Sequence, residues 1–444
     1  MIRTYDDALA YLRSREKFGI KFGLSNIDRL ASALGRPERQ FLSVLIAGTN
    51  GKGSTAALLA SILTAAGYRT GRYTSPHIRF LEERIQVDGR PIAPDELASV
   101  VARVADASRT LTEPTFFEAV TASAFAFFAD CDVDAAVLEV GMGGRWDATN
   151  IALASVSVIT PIGFDHERFL GDSIAAIAAE KAAIIKQGRP VVVGELVPEA
   201  LDVVRDEARR KNADLIRARD GSEIHVVEPL VIDDNVQRVR LTTPERDYGN
   251  VELPLMGEHQ LDNLVLAVRV AELLEPELTA EQVRQGVRST KWLGRLQRVK
   301  GTLGTPALLL DAAHNVMAAG QLGRFLKAHP RDHRVLLFGV MKDKRVHEML
   351  AQLLPHVSYF VATRPEMSRA RGPVPLALFA RDQGTPAEAI ASSETALARA
   401  RELAGPTGEV VVAGSIFLLG EVVVALEGAP VAAGVAHTVA QSPA

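Results

Sequence analysis

An apolar strand-like run at residues 41–47, the loop Gly48-Thr49-Asn50-Gly51-Lys52-Gly53-Ser54 and a helix-like run at 54–66 follow one another without a break. No other feature constrains the fold as strongly. Glycines let a backbone approach a polyphosphate, helix N-terminal amides point at it, and a lysine between them supplies a point charge. The segment departs from the general phosphate-loop pattern of Gly, four residues, then Gly-Lys-Ser/Thr. Ile46 stands at the first glycine, and Gly53 at the hydroxyl position. The bland alternative is a glycine-rich turn with a solvated lysine. The strand–loop–helix setting favours nucleotide phosphate binding.

The same alternation continues. Runs at 69–74, 135–140, 156–160 and 190–194 read as strands with helices between them, which predicts an α/β fold with a parallel sheet. Between 224 and 253 the pattern changes to β-branched alternation, with Asp-Asp-Asn and Tyr-Gly-Asn as turns, and predicts hairpins decorating the first domain. A second α/β series begins near Gly301, with strands at 307–310, 334–338, 359–363 and 409–413. A length of 444 residues suggests two or three domains. The basic, Gly-containing stretch 297–304 sets the boundary. The expected division is a P-loop ATPase domain over 1–298, a Rossmann-like α/β domain over 299–428, and a frayed tail over 429–444.

Bulk properties narrow the partners. The formal net charge of -4 offers no global basic field for nucleic acid or an anionic membrane, so an anionic substrate needs a local cluster. The single cysteine, Cys131, fits a reducing compartment, and its place after the apolar run 116–128 reads as a buried core thiol. Residues 1–7 contain two acids and no apolar core, so no signal peptide is expected. The apolar stretch 410–426 is interrupted by Glu421, and Gly414-Ser415 reads as a strand-to-helix turn, which argues against a membrane span. A cytoplasmic protein is expected.

Further motifs appear in order along the chain. Gly19-Ile20-Lys21-Phe22-Gly23-Leu24 precedes the loop, and Thr74-Ser75-Pro76-His77 follows it. Then come Glu139-Val140-Gly141-Met142-Gly143-Gly144-Arg145 with Asp147-Ala148-Thr149-Asn150, Asp165-His166 with Leu170-Gly171, and Glu180-Lys181-Ala182-Ala183-Ile184-Ile185-Lys186. His259-Gln260 with Asn263, Trp292-Leu293-Gly294-Arg295 and Asp311-Ala312-Ala313-His314-Asn315 complete the series. This ordered set, over roughly 18–315, resembles the folylpolyglutamate synthases and dihydrofolate synthases of the Mur ligase superfamily. Met142, Leu293 and Ala312 depart from the usual leucine, proline and glycine, and none of these removes a charged or ligating group.

The resemblance implies an ATP-dependent ligase that adds L-glutamate to the carboxylate of dihydropteroate, of folate polyglutamates, or of both. The reaction would pass through an acyl phosphate and release ADP and phosphate. It further implies Mg²⁺, allows a monovalent cation, and fits a monomer whose partners are small molecules. Such chemistry depends on positioning and on neutralising charge. Lys52 and the loop residues Asn50, Gly51, Gly53 and Ser54 can hold the phosphates. Glu139, at the C-terminal edge of a strand beside that loop, is placed to hold Mg²⁺ rather than being a solvated strand end. By resemblance Ser75 and His166 join it, with Ser54 as a competing hydroxyl and a hydrogen-bonded loop histidine as the alternative for His166. Lys181 alone would read as a solvated surface charge; the resemblance implies that it is carbamylated, which requires the neutral amine.

Resemblance assigns Asn263 and Arg295 to ATP contacts and Asp311 to the nucleoside side, and Arg295 also suits the γ-phosphate. His314 is expected near the incoming glutamate or the acyl phosphate, against the alternative of a structural histidine at a helix N-terminus. For the folate side, Arg145 and Asp147 are preferred to Phe22, Phe116 and Phe117, because apolar aromatics are more often core. Two rivals are weighed. A Mur-type ligase for UDP-muramyl peptides usually carries a UDP-binding domain before the loop, and a loop at Gly48 leaves no room for one. A nucleotide-switched binding protein has no reason to keep the Asp311–Asn315 motif.

Overall fold

The computed structural model describes residues 2–19, 21–227, 235–301 and 304–427. Met1, Ile20, Asp233-Asp234 of one expected turn, residues 302–303 of the expected boundary and the expected tail from 428 lie outside the described residues. Two sheets with helices on both faces carry the molecule. The first is built from β1 (Leu42–Ala47), β2 (Thr70–Tyr73), β3 (Ile85–Val87), β4 (Arg90–Pro91), β5 (Ala135–Glu139), β6 (Val156–Ile159), β7 (Val191–Val193) and β8 (Leu215–Arg217), in the order β4-β3-β2-β5-β1-β6-β7-β8. From β2 to β8 every pairing is parallel, and β3 and β4 add an antiparallel edge.

Strand periodicity divides the core. Leu45 and Ala47 of β1 face the helices Pro94–Ala107 and Phe116–Asp130. Val44 and Ile46 face Lys52–Ala65, Glu258–Leu274 and Ala280–Ser289. Strands covered on both faces need near-continuous apolar runs, as Leu42–Ala47 and Ala135–Leu138 provide. β1 lies between β5 and β6, so the loop after it opens at the centre of the sheet's C-terminal edge, where open α/β sheets place their ligands.

The expected hairpins form a separate antiparallel sheet of β9 (Glu223–Val226), β10 (Gln237–Thr242) and β11 (Asp247–Leu253). Tyr248-Gly249-Asn250 is not its turn but lies inside β11. There Gly249, at φ 67°, sits at a register shift opposite Leu241/Thr242. A glycine with positive φ at a bulge explains why the tripeptide looked like a turn.

The second sheet has β12 (Gln297–Val299), β13 (Ala307–Leu310), β14 (Arg334–Phe338), β15 (Tyr359–Ala362), β16 (Ala387–Ala389) and β17 (Glu409–Ala413), in the order β12-β13-β17-β14-β15-β16. All its pairings are parallel except β12 with β13. β12 starts at Gln297 and so straddles the break expected at 298/299; a three-residue edge strand leaves too little pattern to be read beforehand. Ser415 caps the helix Ile416–Leu426 after β17, and no helix among the described residues is long and apolar enough to cross a membrane. Cys131 is only partly buried. It caps the C-terminus of Phe116–Asp130 and packs against the edge of the first core, half-buried where a fully buried thiol was expected.

Candidate active site

The helix after β1 begins at Lys52, two residues earlier than its sequence suggests, because Gly51 turns the chain at φ 89° and serves as its N-cap. The amides of residues 52–54 are then first-turn donors without an intrahelical acceptor. Gly48 is required by space: a Cβ there would lie 1.8 Å from Thr160 Oγ1, at the end of β6. The Lys52 ammonium donates to Gly48 O and Thr49 O, both at 3.0 Å.

Lys181 is not a surface charge. It is 4% exposed, and its Nζ donates to the same Gly48 O at 2.8 Å. The helix Ile174–Ala182 carries it inward because Gly143 and Gly144 leave room for that helix to pack against their loop. Burial, and then the neighbouring Lys52 charge, push the Lys181 amine down to about 7. Burial also lowers Lys52, opposed by Glu139 and Asp165.

Glu139 ends β5 and is 5% exposed. Burial raises its carboxyl, against the Lys52 charge and the Ser75 N–H that donates to Oε2 at 3.1 Å. Ser54, Ser75 and His166 line the same cleft. Burial pushes His166 down to about 4, so it is a neutral imidazole at pH 7. Among the described residues no three His, Cys, Asp or Glu side chains come together as a metal cage. The Glu139 carboxylate and the Ser54 and Ser75 hydroxyls are oxygen donors, the kind a hard cation takes.

The opposite wall comes from the second sheet and its approach. Asp311, just after β13, accepts from Leu296 N–H and Ala313 N–H, both at 2.9 Å. It thereby fixes the segment that carries Arg295, whose charge opposes the upward push of burial on Asp311. Asn263 presses on Gly51: a Cβ there would lie 2.4 Å from Asn263 Oδ1.

The two walls meet at Asp165, which is 8% exposed. Lys344 Nζ donates to Oδ1, Asn315 Nδ2 donates to Oδ2 at 3.0 Å, and His314 Nε2 stands 3.4 Å from Oδ2. Burial alone would raise this carboxyl. The His314 hydrogen bond and the charges of His314 and Lys344 outweigh it and hold Asp165 well below the usual range. Asn315 also exchanges amide hydrogen bonds with Asn50 of the phosphate loop, at 3.1 and 2.8 Å. His314 therefore has two partners, since its Nδ1 is 2.9 Å from Ala312 O.

These residues line one cleft of about 1110 Å³, with Phe116 and Phe117 on its wall. Two expected substrate residues do not line it. Arg145 is tied to Glu180 at 2.8 Å and to Ala179 O. Both oxygens of Asp147 are occupied, Oδ2 by the amides of Gly141 and Met142 and Oδ1 by Thr149 N–H and Oγ1. Both brace the loop behind the wall, a part that a motif alone does not distinguish from contact. Phe22 is 64% exposed. Lys344 was missed, although the segment after β14 sits at a strand's C-terminal edge as Glu139 does, and that position was its signal.

Residues 46–271 match the Mur ligase middle domain, and residues 294–416 match the Mur ligase glutamate ligase domain. The chain belongs to the Mur ligase family. Within that family its relatives are the dihydrofolate and folylpolyglutamate synthases. It is 37% identical to the dihydrofolate synthase/folylpolyglutamate synthase of Bacillus subtilis over 375 residues, which is 82% of this chain and 86% of that one. It is 40% identical to the enzyme of the same description from Mycobacterium tuberculosis over 388 residues, 82% and 78% of the two chains. Among solved structures, M. tuberculosis folylpolyglutamate synthase complexed with ADP and AMPPCP superimposes with a TM-score of 0.88 at 34% identity, covering 96% and 99% of the chains. Escherichia coli FolC in complex with DHPP and ADP gives 0.85 at 30% identity, covering 96% and 98%.

Proposed function

We propose that this protein is an ADP-forming ligase that uses ATP to join L-glutamate to the carboxylate of dihydropteroate and of folate polyglutamates. The observation that carries the reading is the meeting of the Lys52 loop, buried Glu139 and the Arg295–Asp311–His314 wall in one cleft, in a chain of this family. The relatives that bear the same two activities in their names favour it over a UDP-muramyl ligase or a nucleotide switch. Lys52, the loop residues Asn50 and Gly51 and the first-turn amides of residues 52–54 hold the β- and γ-phosphates. Arg295 faces the transferred group, Asn263 supports Gly51, and Asp311 orients the nucleoside side. The acceptor carboxylate attacks the γ-phosphorus to give an acyl phosphate and ADP. The glutamate amine, guided by His314, then displaces phosphate. A cleft closed by the Asn50–Asn315 pair keeps water from that hydrolysable intermediate. The protein acts as a cytoplasmic monomer under this reading, divided near residue 298. Incubation with ATP and labelled glutamate tests it: label should enter both dihydropteroate and a reduced folate, and incorporation into neither ends the folate assignment.

Glu139, with Ser75 and His166, would hold Mg²⁺, which when bound supplies charge neutralisation at the phosphate oxygens. Glu139→Gln keeps the Ser75 hydrogen bond but removes the charge. It should raise the Mg²⁺ concentration for half-maximal turnover by about ten-fold or more. An unchanged Mg²⁺ titration contradicts the ligand role.

Lys181 is the second chemical expectation. An amine pushed down to about 7 is substantially neutral at physiological pH, the form that takes up CO₂ as a carbamate. Its folded-state value lies below the unfolded one, so between about pH 7 and the ordinary lysine range the unfolded chain binds more protons and stability rises with pH. Carbamate, and with it activity, should fall as pH drops below 7 and recover with added bicarbonate. Labelled bicarbonate should give a carbamate carbon signal that Lys181→Arg lacks. Full activity with an unmodified Lys181 rules the carbamate out.

A further inference from the structure

One branch of the cleft has no part in the chemistry above. It starts at Gly53, where a Cβ would meet the Trp292 ring at 2.5 Å and Glu139 Oε2 at 3.3 Å. It continues along the helix Lys52–Ala65 past Ser61 and Thr64, with Arg72, Trp292, Lys291 and Arg90 among its lining. Arg72 points inward from β2 and is 7% exposed. Its Nη2 donates to Gln86 Oε1 at 2.5 Å, and its guanidinium lies 5.2 Å from the centre of the Trp292 ring. Arg72 Nε and Trp292 Nε1 are both buried without a hydrogen-bond partner among the described residues. Arg72 has no ion-pair partner there either. Burial lowers it only to about 10, so it stays charged at neutral pH.

A buried arginine whose counter-charge, the Glu139 carboxylate, lies beyond ion-pair distance is costly unless something pairs with it directly. Two adjacent unpartnered N–H donors ask for an acceptor, and a carboxylate matches a guanidinium edge best. Exposed Arg90 and Lys291 add positive charge at the outer end. Besides Glu139 at the inner end, Asp88 lines this branch, and its Oδ1 already accepts from Thr70 N–H at 2.8 Å. The inner end opens beside Glu139 and Gly53, where the reacting carboxylate must arrive. Each γ-linked glutamate already on a folate lengthens the acceptor and adds one free α-carboxylate, and dihydropteroate has none to spare. We propose that this branch receives the γ-glutamate tail of the acceptor, with Arg72 and the Trp292 indole N–H holding an α-carboxylate and Lys291 and Arg90 meeting the next ones.

The proposal rests on the folate-ligase reading, and the test separates the two. Steady-state kinetics compare dihydropteroate with a folate triglutamate in the wild type, in Arg72→Gln, and in the surface variant Lys291→Glu, which leaves the core untouched. In Arg72→Gln the KM for the triglutamate should rise by roughly ten-fold or more relative to that for dihydropteroate, as expected for loss of a charge-assisted hydrogen bond. Lys291→Glu should shift the same ratio in the same direction by less. In a Trp146→Phe background, a tri-γ-glutamate peptide added with ADP should quench Trp292 fluorescence, and Arg72→Gln should abolish the quench. KM values that move equally for both acceptors, or no quench in the parent, overturn the tail site while leaving the ligase reading intact. Turnover of neither acceptor by the wild type removes the ligase reading itself.

Discussion

Lys52→Ala should reduce ATP-dependent ADP release by about a thousand-fold or more with either acceptor, while the protein folds normally. The loss follows from removing the one cation rooted in the phosphate loop; deleting a single preorganised donor to a developing negative charge commonly costs 10²–10³-fold, and here the donor carries a full charge. Folding is spared because Lys52 makes only hydrogen bonds to Gly48 O and Thr49 O, and alanine is well tolerated in a first helical turn. Steady-state ADP release, with thermal melting as the control for folding, checks both halves. Undiminished turnover would mean that the loop does not hold the transferred phosphate.

Asp165→Ala should be the most damaging change outside that loop. Three groups converge on this carboxylate from the C-terminal half, namely Lys344, Asn315 and His314. Lys344 is 9% exposed, and without Asp165 it keeps only the exposed Asp343 carboxylate at 3.4 Å, so the change approaches that of a buried unpaired cation, which costs about 3–5 kcal/mol. Part of that loss falls on the docking of the two halves, and part on the orientation of His314. If half reaches the transition state, kcat/KM for glutamate falls by roughly ten- to a hundred-fold. Asp165→Asn keeps the shape but not the charge, and should recover the Asn315 contact without the Lys344 pair. Melting curves of both variants, with kcat/KM for glutamate, read the effect; wild-type values for Asp165→Ala would mean that the halves close without this hub.

How legible these features were depends on the range of the interaction. The phosphate loop was readable because strand, glycines, lysine and helix are contiguous, and only the helix start was misplaced, at the positive-φ Gly51. Glu139 was readable from its position at a strand end. Lys181 was readable as special only through family resemblance, because its burial depends on Gly143 and Gly144 from another segment. The Asp165–Lys344 pair joins residues 179 positions apart, and no local pattern encodes such a meeting. Arg72 gave no signal at all within Thr70–Tyr73, where an arginine in a short strand reads as a solvent-facing residue. Asp147 shows the opposite error: the motif drew attention to a carboxylate whose oxygens were already occupied by its own loop.

The central claim is that the acceptor's carboxylate is activated by the terminal phosphoryl group of ATP. It is tested most directly by labelling both oxygens of the dihydropteroate carboxylate with ¹⁸O and running the reaction to completion with ATP and glutamate. An acyl phosphate transfers one labelled oxygen to the inorganic phosphate released, so mass analysis of that phosphate should find ¹⁸O in proportion to the product formed. The second ¹⁸O stays in the new amide carbonyl; released phosphate free of ¹⁸O, with the lost label in water or in AMP, would contradict the account.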